Sequence, residues 1–282
     1  MESLKITVAP HIKDMRMSEY LKRELNFSST LITKVKFGGV ILNSNTVTMR
    51  KTVNGGDELI INFPSEESEN VKPIPAKLDI IYEDDYIIAV NKPRNMPVHP
   101  SRGNHLITLG NAIAAYFNRP FVFRAVNRLD RDTAGIVIIA KDQYSAARLS
   151  ESLKSGRFEK YYTALLAATP EKDEGVIDAP IEREKEGSIK RVVREDGKHA
   201  LTEYKLIERL EDGRAICEVR LHTGRTHQIR VHFSHIGCPL YNDFLYGERV
   251  DEDDTYYLTC SKIVFPHPLT NERMEFSVKA KF

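Results

Sequence analysis

Residues 128–140 read RLDRDTAGIVIIA, a stretch in which charged residues are followed directly by an apolar segment. Its second half, 135–140, is an apolar run with the length and β-branched content of a buried strand. Loops that lead into a rigid strand are common places for catalytic groups. Asp130 stands in such a loop between Arg128 and Arg131, which would favour the ionised carboxylate that a nucleophile requires. A structural salt bridge is the commoner fate of an aspartate beside arginine, so the stretch alone leaves both interpretations open.

The segments around this strand predict an α+β domain with a mostly antiparallel sheet. Short apolar runs joined by turn sequences outnumber the amphipathic runs of helical length, and tight turns join neighbouring strands in antiparallel pairs. Helices combined with such a sheet define the α+β class. We expect strands over 80–82, 86–90 and 215–221, and helices over 109–117 and 142–153, the last capped by Asp142.

The residues before position 70 predict a separate small module. The polar stretch at 64–70, PSEESEN, has the composition of a linker, and it places a domain boundary between 1–70 and 71–282. We expect few contacts to cross this boundary. Within the module the sequence predicts two helices capped by Ser18 and Ser28, a hairpin of strands 40–42 and 47–49, and a strand over 59–63.

Charge is distributed unevenly along the chain, although the formal net charge is only +1. Residues 12–56 carry eight lysines and arginines against three acids, whereas acidic residues cluster at 66–69 and 251–254. Local fields follow this distribution more than the total. A module of two short helices with basic surfaces suits RNA, and a solvated surface with chance clustering is the alternative. The candidate RNA-binding residues are Lys22, Arg23, Lys34 and Lys36.

Composition and motifs exclude several classes of protein. We expect neither a signal peptide nor a segment that crosses a membrane, and three cysteines without a C-x-x-C pair indicate free thiols in a reducing compartment. A cytoplasmic protein is therefore predicted. The motifs G-x-x-x-x-G-K, G-x-G-x-x-G, G-x-S-x-G and H-E-x-x-H do not occur, so chemistry based on nucleotides, dinucleotides, a nucleophilic serine or zinc lacks its usual signature.

A second group of polar residues, 221–232, reads LHTGRTHQIRVH. Its guanidinium, imidazole, amide and hydroxyl groups surround Gly224, which lets the backbone approach a ligand closely. Such donors suit phosphate, ribose and base edges. Histidines here could instead hold a metal, but no acid or thiolate has suitable spacing, and a strand would put 227 and 232 on opposite faces. No metal site is therefore predicted from the four histidines, which are His222, His227, His232 and His235.

Two further segments are weaker indications of function when each is taken alone. One is a stiff basic loop that runs from Asn91-Lys92-Pro93 to Val98-His99-Pro100, and the other is the cation beside aromatic rings at 160–162. Each alone is compatible with a connector or an amphipathic strand. Taken in order with the segments above, they closely resemble the RluA-type pseudouridine synthases. The similar segments are 82–84, 91–93, 98–100, 128–133, 140–141, Lys160, Tyr162, 223–232, Gly237, Pro239, Asp243, 246–247 and 267–268.

The first 63 residues resemble an S4 RNA-binding domain, which many members of that family carry at the same end. Residues 55–61, GGDELII, are similar to the approach to its closing strand. The resemblance thus implies a small S4-like α/β domain followed by a pseudouridine synthase domain. The chain departs from the family pattern at Asn127, where His is usual, at Ala134, where Ser is usual, and at Thr259, where His is common. These departures bear on the choice of RNA target.

What the resemblance implies is the isomerisation of a uridine within RNA to pseudouridine, without a cofactor. The N1–C1′ bond breaks, the uracil turns and a C5–C1′ bond forms. Asp130 matches the family's catalytic acid, Tyr162 its active-site tyrosine, and Arg225 the basic residue expected to pair with the aspartate. The uridine would be flipped into the pocket. The residues expected to hold the substrate are Lys92, His99, Arg128, Leu129, Gln228 and Arg230.

Alternatives to this interpretation stay open. A protein of this fold could bind RNA without turnover, although Asp130, Tyr162 and Arg225 are all present. A hydrolase could use Asp130 and Asp132 as acid and base on a glycosidic bond. Ribosomal RNA is favoured over transfer RNA as the substrate, and no obligate protein partner is predicted.

Overall fold

The computed structural model describes residues 3–64, 71–100, 107–118, 121–250, 252 and 255–281. The linker predicted at 64–70 lies outside the described residues except for Pro64. The same holds for the acidic residues of both predicted clusters, apart from Glu252.

The N-terminal unit is built from two short helices and small antiparallel sheets. Its elements in chain order are β1 (Ser3–Thr7), β2 (Met15–Arg16), α1 (Met17–Arg23), α2 (Ser29–Val35), β3 (Val40–Leu42), β4 (Asn45–Thr46), β5 (Thr52–Val53) and β6 (Glu58–Asn62). Four strands pair in the order β1-β6-β3-β4, and β2 pairs with β5. The helices and the sheet bury a common apolar core that includes Met17, Leu21, Val35 and Ile61.

One of the two predicted helix caps in this unit is confirmed. The Ser28 hydroxyl accepts a hydrogen bond from the Leu31 amide at 3.1 Å at the start of α2. The cap predicted at Ser18 is wrong, because α1 begins at Met17 directly after β2. The Met17 and Ser18 amides donate to the carbonyls of Lys51 and Met49, so backbone satisfies the groups that a capping side chain would serve.

The predicted hairpin exists, but its turn is tighter than expected. Asn43 and Ser44 both have positive φ, of 47° and 67°, which is the conformation of a two-residue hairpin turn. The returning strand is therefore β4 at Asn45–Thr46, and not 47–49.

The larger unit contains the predicted mostly antiparallel sheet and confirms the α+β class. Its remaining elements are β7 (Ile80–Glu83), β8 (Ile87–Lys92), α3 (Leu109–Phe117), β9 (Arg124–Ala125), β10 (Ala134–Ala140), α4 (Gln143–Lys154), β11 (Glu159–Leu166), β12 (Glu174–Asp178), β13 (Ile181–Arg183), β14 (Arg191–Val193), β15 (Leu201–Arg209), β16 (Ala215–Leu221), α5 (Gln228–His235), β17 (Leu258–Pro266) and β18 (Arg273–Ser277). The strand order is β12-β15-β16-β11-β17-β10-β8-β7, with β18 on β17 and β9 on β10. The pair of β10 with β17 is parallel, which makes the sheet mixed.

The central strand β10 fixes the position of the loop that precedes it. Residues 135–140 are fully buried, as the apolar run predicted. Gly135 has a φ of +112°, and a Cβ there would lie 2.3 Å from the Cys260 carbonyl oxygen on β17. Glycine is therefore required where the two strands meet. After the strand, the Asp142 carboxylate caps α4 by accepting from the Ser145 amide at 2.7 Å, as predicted.

The two units share a small apolar core at the first turn of α4. Tyr144 on α4 is buried within the core of the N-terminal unit, and its ring centroid lies 5.2 Å from that of Phe27. Gln143 donates to the Pro64 carbonyl at 3.0 Å and accepts from the Lys34 ammonium at 3.0 Å. The first turn of α4 presents a large aromatic ring, and burying that ring holds the units together.

The cysteines and the helices agree with two further expectations. Cys217, Cys238 and Cys260 are unpaired and buried, so the prediction of free thiols is confirmed. Burial raises the pKa of the Cys217 and Cys260 thiols to about 12. In the described part of the chain, no helix is both long and apolar enough to cross a membrane.

Candidate active site

A cavity of about 930 Å³ opens across the centre of the sheet. Its walls come from the loop before β10, the first half of β11, the end of β16, the loop at 222–227 and the start of α5. Among the described residues of these walls, lysines and arginines outnumber carboxylates by six to two. The basic residues are Arg128, Arg131, Lys160, Arg220, Arg225 and Arg230, and the carboxylates are Asp130 and Glu159. A concave basic surface of this size suits a polyanion with an inserted base.

Asp130 is held at the cavity by a rigid loop. The Asn127 side-chain amide donates to the Ile136 carbonyl at 3.0 Å and accepts from the Ile138 amide at 2.9 Å, which ties the loop to β10. The neighbouring Leu129 is buried and also lines the cavity. The Asp130 side chain keeps 34% of its surface exposed. The carboxylate is thus anchored through its backbone and stays accessible to a ligand.

The two arginines that flank Asp130 in sequence have different surroundings. The Arg131 guanidinium donates two hydrogen bonds, both of 2.9 Å, to the carboxylate of the buried Asp132. Arg128 is exposed on the cavity wall. Because Asp132 is buried and paired while Asp130 faces the cavity, the two acids do not form the pair that a glycoside hydrolase would need.

The segment 222–232 is a loop and a helix, so the strand expected there is wrong. His227 occupies the N-cap position of α5 with a φ of +59°. His232 on α5 is buried between the Thr202 hydroxyl and the Ala179 carbonyl, at 2.8 and 2.9 Å, while the His222 imidazole lies 2.9 Å from Glu203. Across the described ranges, no group of three histidine, cysteine or acidic residues is arranged to hold a metal.

Arg225 does not pair with Asp130, which corrects the role predicted for it. Its side chain is exposed, and its Nε donates to the His199 carbonyl at 2.8 Å. Arg230, on the buried first turn of α5, is a second basic group near the aspartate, and Asp130 makes a small contribution to its raised pKa. Arg225 lies ahead of the helix, and its backbone amide donates to the Gln228 side chain at 2.9 Å.

Arg230 is the most constrained cation of the site. Its guanidinium donates to both oxygens of the buried Asp243 carboxylate, at 2.7 and 2.6 Å. The rings of Tyr246 and Tyr256 lie 4.8 and 4.1 Å from it. Burial alone would lower the pKa of Arg230, but Asp243, Tyr256 and Asp130 raise it above its usual value. The guanidinium is thus a fixed positive charge behind Asp130.

Tyr162 lines the cavity from β11, where the sequence placed it. Its side chain is buried, and its hydroxyl contacts the Cys260 thiol on the neighbouring β17. Burial, together with Cys260 and Asp130, raises the pKa of Tyr162 well above its usual value. The phenol is therefore protonated at neutral pH.

Two residues predicted to bind substrate instead make hydrogen bonds within the protein. Lys92 is fully buried, and its ammonium donates to the carbonyls of Pro93, Met96 and Arg131 at 2.8, 2.7 and 3.0 Å. These bonds join the loop after β8 to the loop that carries Asp130. Gln228 is also buried, and both atoms of its amide are occupied within the 201–228 region. Neither side chain is free to hold RNA.

Three other residues predicted to bind substrate line the cavity and are not enclosed by such bonds to described residues. Leu129, Arg128 and His99 are all on its walls, and the His99 ring packs edge-on against Phe123 with centroids 4.8 Å apart. Burial and the nearby Arg128 lower the pKa of His99. Sequence reasoning assigned no site role to His227 or to the groups around Arg230, because those groups lie far apart along the chain. The groups around Arg230 are Asp243, Tyr246 and Tyr256.

Comparisons with known proteins agree with this geometry. The family model described as RNA pseudouridylate synthase matches residues 86–235. YjbO of Bacillus subtilis (strain 168), an uncharacterised RNA pseudouridine synthase, is 37% identical over 268 residues, which are 93% of this chain and 94% of the relative. Ribosomal large subunit pseudouridine synthase D of Xanthomonas campestris is 36% identical over 253 residues, which are 87% of this chain and 75% of the relative.

A solved structure extends the similarity to three dimensions. Human RNA pseudouridylate synthase domain containing 1 superposes with a TM-score of 0.61 at 26% identity, covering 72% of this chain and 83% of that one. The fold and the basic cavity with its aspartate define an enzyme that modifies RNA. The chain belongs to the RNA pseudouridylate synthase family, as the resemblance in the sequence implied, and it catalyses the isomerisation of uridine in RNA.

Proposed function

We propose that Asp130 is the carboxylate that attacks the flipped uridine, and that the substrate is ribosomal RNA of the large subunit. One observation carries the first part. Of the two carboxylates in the cavity, Glu159 is 3.1 Å from the Arg220 guanidinium and accepts from the Tyr161 hydroxyl, whereas Asp130 comes no closer than 3.9 Å to a basic nitrogen of the described residues. Asp130 is therefore the acid available to a substrate.

The proposed chemistry moves one bond and one proton. The Asp130 carboxylate attacks C1′, which forms a C1′–O bond as the C1′–N1 bond breaks. The uracil then turns and C5 bonds to C1′, which breaks the C1′–O bond and releases the carboxylate. C5 then loses its proton and N1 holds one, so atoms and electrons balance without a cofactor. The Tyr162 ring, which lines the cavity, would stack on the uracil, and Arg230, in place of Arg225, would supply the positive charge near the aspartate. His99, Arg128 and Leu129 would hold the flipped nucleotide.

The test compares two carboxamide variants from the same cavity. The substrate is RNA from cells that lack this gene, in which the target uridine is unmodified. Asp130→Asn should lower the single-turnover rate by at least about a hundredfold, because a carboxamide is a poor nucleophile. Glu159→Gln, the matched control, should keep most of the rate. If Asp130→Asn turned over like the wild-type enzyme, Asp130 would not be the attacking group.

The proposal of ribosomal RNA is supported by the relatives and has its own test. The relatives from Xanthomonas campestris and Xylella fastidiosa are both named ribosomal large subunit pseudouridine synthase D. Pseudouridine mapping of ribosomal and transfer RNA, from cells with and without the gene, should show a missing site in the large-subunit RNA. A missing site confined to transfer RNA would assign the other substrate. The free thiols fit a reducing compartment, so we place the reaction in the cytoplasm.

We further propose that residues 1–70 form an S4-like RNA-binding module. Its support is the exposed basic surface of α1 and α2. Among the four candidates, Arg23 is 2.8 Å from Glu19 and Lys34 donates to Gln143, so Lys22 and Lys36 are the better placed for phosphate.

Paired alanine variants test this module without cutting the shared core. Lys22→Ala combined with Lys36→Ala should weaken RNA binding and flatten its salt dependence by about one to two charges, at an unchanged saturating rate. Lys5→Ala, an exposed lysine on β1, is the control for loss of a single charge elsewhere in the unit. An unchanged salt slope for the double variant would remove α1 and α2 from the RNA-binding surface.

A further inference from the structure

His227 is the cavity residue whose side chain approaches Asp130 most directly. Its Nε2 lies 3.9 Å from the Asp130 Oδ2, and only 15% of its side chain is exposed. It stands at the N-cap of α5 with a left-handed backbone, which turns the imidazole out of the helix and toward the cavity. The proposed chemistry does not use this imidazole, and no other step described above requires it.

A hydrogen-bond chain behind His227 assigns its proton. The Tyr246 hydroxyl oxygen accepts from the Arg191 backbone amide at 2.9 Å and lies 2.7 Å from the His227 Nδ1. Within the described residues, Nδ1 is the acceptor within reach of the Tyr246 hydroxyl proton. When Nδ1 accepts that proton, the neutral imidazole carries its own hydrogen on Nε2, which faces Asp130.

Burial is the main reason why the imidazole is neutral. Burial lowers the pKa of His227, and the cations of Arg230 and Arg191 act in the same direction. Asp130 and Asp243 oppose them, but the pKa stays below its usual value. At neutral pH the residue is therefore an N–H donor of fixed orientation, with no charge that would compete for the RNA.

We propose that His227 is a positioning residue for Asp130, an inference that rests on the proposed attack by that aspartate. On RNA binding the carboxylate moves about 1 Å toward Nε2, which brings 3.9 Å to hydrogen-bond length. The Nε2–H then holds Oδ2 and leaves the other oxygen directed at the sugar. Tyr246 acts one step further away, by keeping the proton of His227 on the correct nitrogen.

Two substitutions separate this role from a structural one. Asparagine tolerates the positive φ of +59° that His227 adopts, but its short amide cannot reach Asp130. Glutamine suits that backbone less well, but its amide nitrogen can occupy the place of Nε2. We expect His227→Asn to fold as stably as the wild type and to lose about tenfold to a hundredfold in saturating single-turnover rate, the effect of one bond to a charged group. His227→Gln should melt earlier and retain more of the rate.

The outcomes distinguish this inference from the role of Asp130. RNA dissociation constants should stay within about twofold in both variants, so that the loss falls on the rate and not on binding. Tyr246→Phe should lose less than His227→Asn, because it removes the hydroxyl but keeps the ring on Arg230. If Asp130→Asn is inactive while His227→Asn runs at the wild-type rate, the positioning role is wrong and the attack by Asp130 stands. If His227→Asn is more active than His227→Gln, the residue matters only because it adopts the positive φ at the start of α5, and the positioning role is wrong.

Discussion

Two groups of polar residues at the cavity look alike in the sequence but differ in what they bind. One group is buried and bonded to the protein, and the other is exposed on the rim. We call Lys92, Gln228 and Arg230 the buried set, and Arg128 and Arg225 the exposed rim. Every member of the buried set is almost wholly inaccessible to solvent. Lys92 and Gln228 donate to backbone carbonyls, and Arg230 donates to the Asp243 carboxylate. The rim residues are exposed to any RNA that enters. A sequence motif therefore identifies the site, but it does not show which of its cations are bonded to protein groups and which are available to RNA.

The largest effect should follow from Arg230→Met. The substitution leaves the fully buried Asp243 carboxylate without its partner, which costs about 3 to 5 kcal/mol of stability. It also removes the positive charge behind Asp130, so the saturating single-turnover rate should fall by at least about a hundredfold. Arg230→Lys should recover only part of the rate, since an ammonium cannot reproduce the two-bond contact. A wild-type rate for a folded Arg230→Met variant would show that the positive charge of Arg230 is not needed for the reaction.

An intermediate effect is expected for Lys92→Met. Three carbonyls lose their common donor, and the free energy of unfolding should drop by about 2 to 3 kcal/mol, as for hydrogen bonds to a charged group. The rate should fall as well, because the loop that carries Asp130 loses its tie to the loop after β8. Urea denaturation and single-turnover assays measure both quantities. A change in RNA affinity alone would return Lys92 to the substrate-binding residues.

The same lysine gives a prediction for pH. Burial lowers the pKa of Lys92 to about 7, against its usual 10.5. Between these values the unfolded chain binds more protons than the folded one, so the free energy of unfolding rises with pH. The wild type should gain stability relative to Lys92→Met from pH 7 to 9, by at most about 1.4 kcal/mol per pH unit, and show no such gain from pH 5.5 to 6.5. A difference between the two proteins that does not vary with pH would place the lysine in a wetter environment.

The smallest effect should come from Arg225→Ala on the rim. Its one hydrogen bond to the protein joins an exposed side chain to a carbonyl, so stability should hardly change. RNA affinity should weaken by about twofold to fivefold with a shallower salt dependence, at an unchanged saturating rate. A loss of rate as large as that of Arg230→Met would mean that Arg225 reaches the aspartate once RNA is bound.

Features with a local physical cause were predictable from the sequence. The helix at 109–117, the buried strand at 135–140 and the cap at Asp142 were all placed correctly, because periodicity and capping act within a few residues. The site as a region followed from Asp130 and Tyr162, which both line the cavity.

What could not be predicted depends on contacts between distant parts of the chain. Residues 228–232 alternate in a way that fits a strand, but they form the start of α5, which follows the left-handed residue His227. Arg230 is fixed by Asp243 and Tyr256, which lie well beyond the motif. Lys92 would be expected at the surface, as lysine usually is, and three carbonyls from two loops explain its burial. The shared core at Tyr144 likewise has no signal in either unit alone.

The burial of Cys260 makes the labelling rate of its thiol a measure of local opening. This thiol is fully buried between the strand that carries Tyr162 and the strand that follows Asp130, and it has a pKa of about 12. An alkylating reagent can reach it only after the packing around it opens, because a buried protonated thiol does not react. The rate of labelling in native buffer therefore reports the free energy of that opening. RNA seated on Tyr162 should slow the labelling, and the reaction would then measure occupancy of the cavity without requiring turnover.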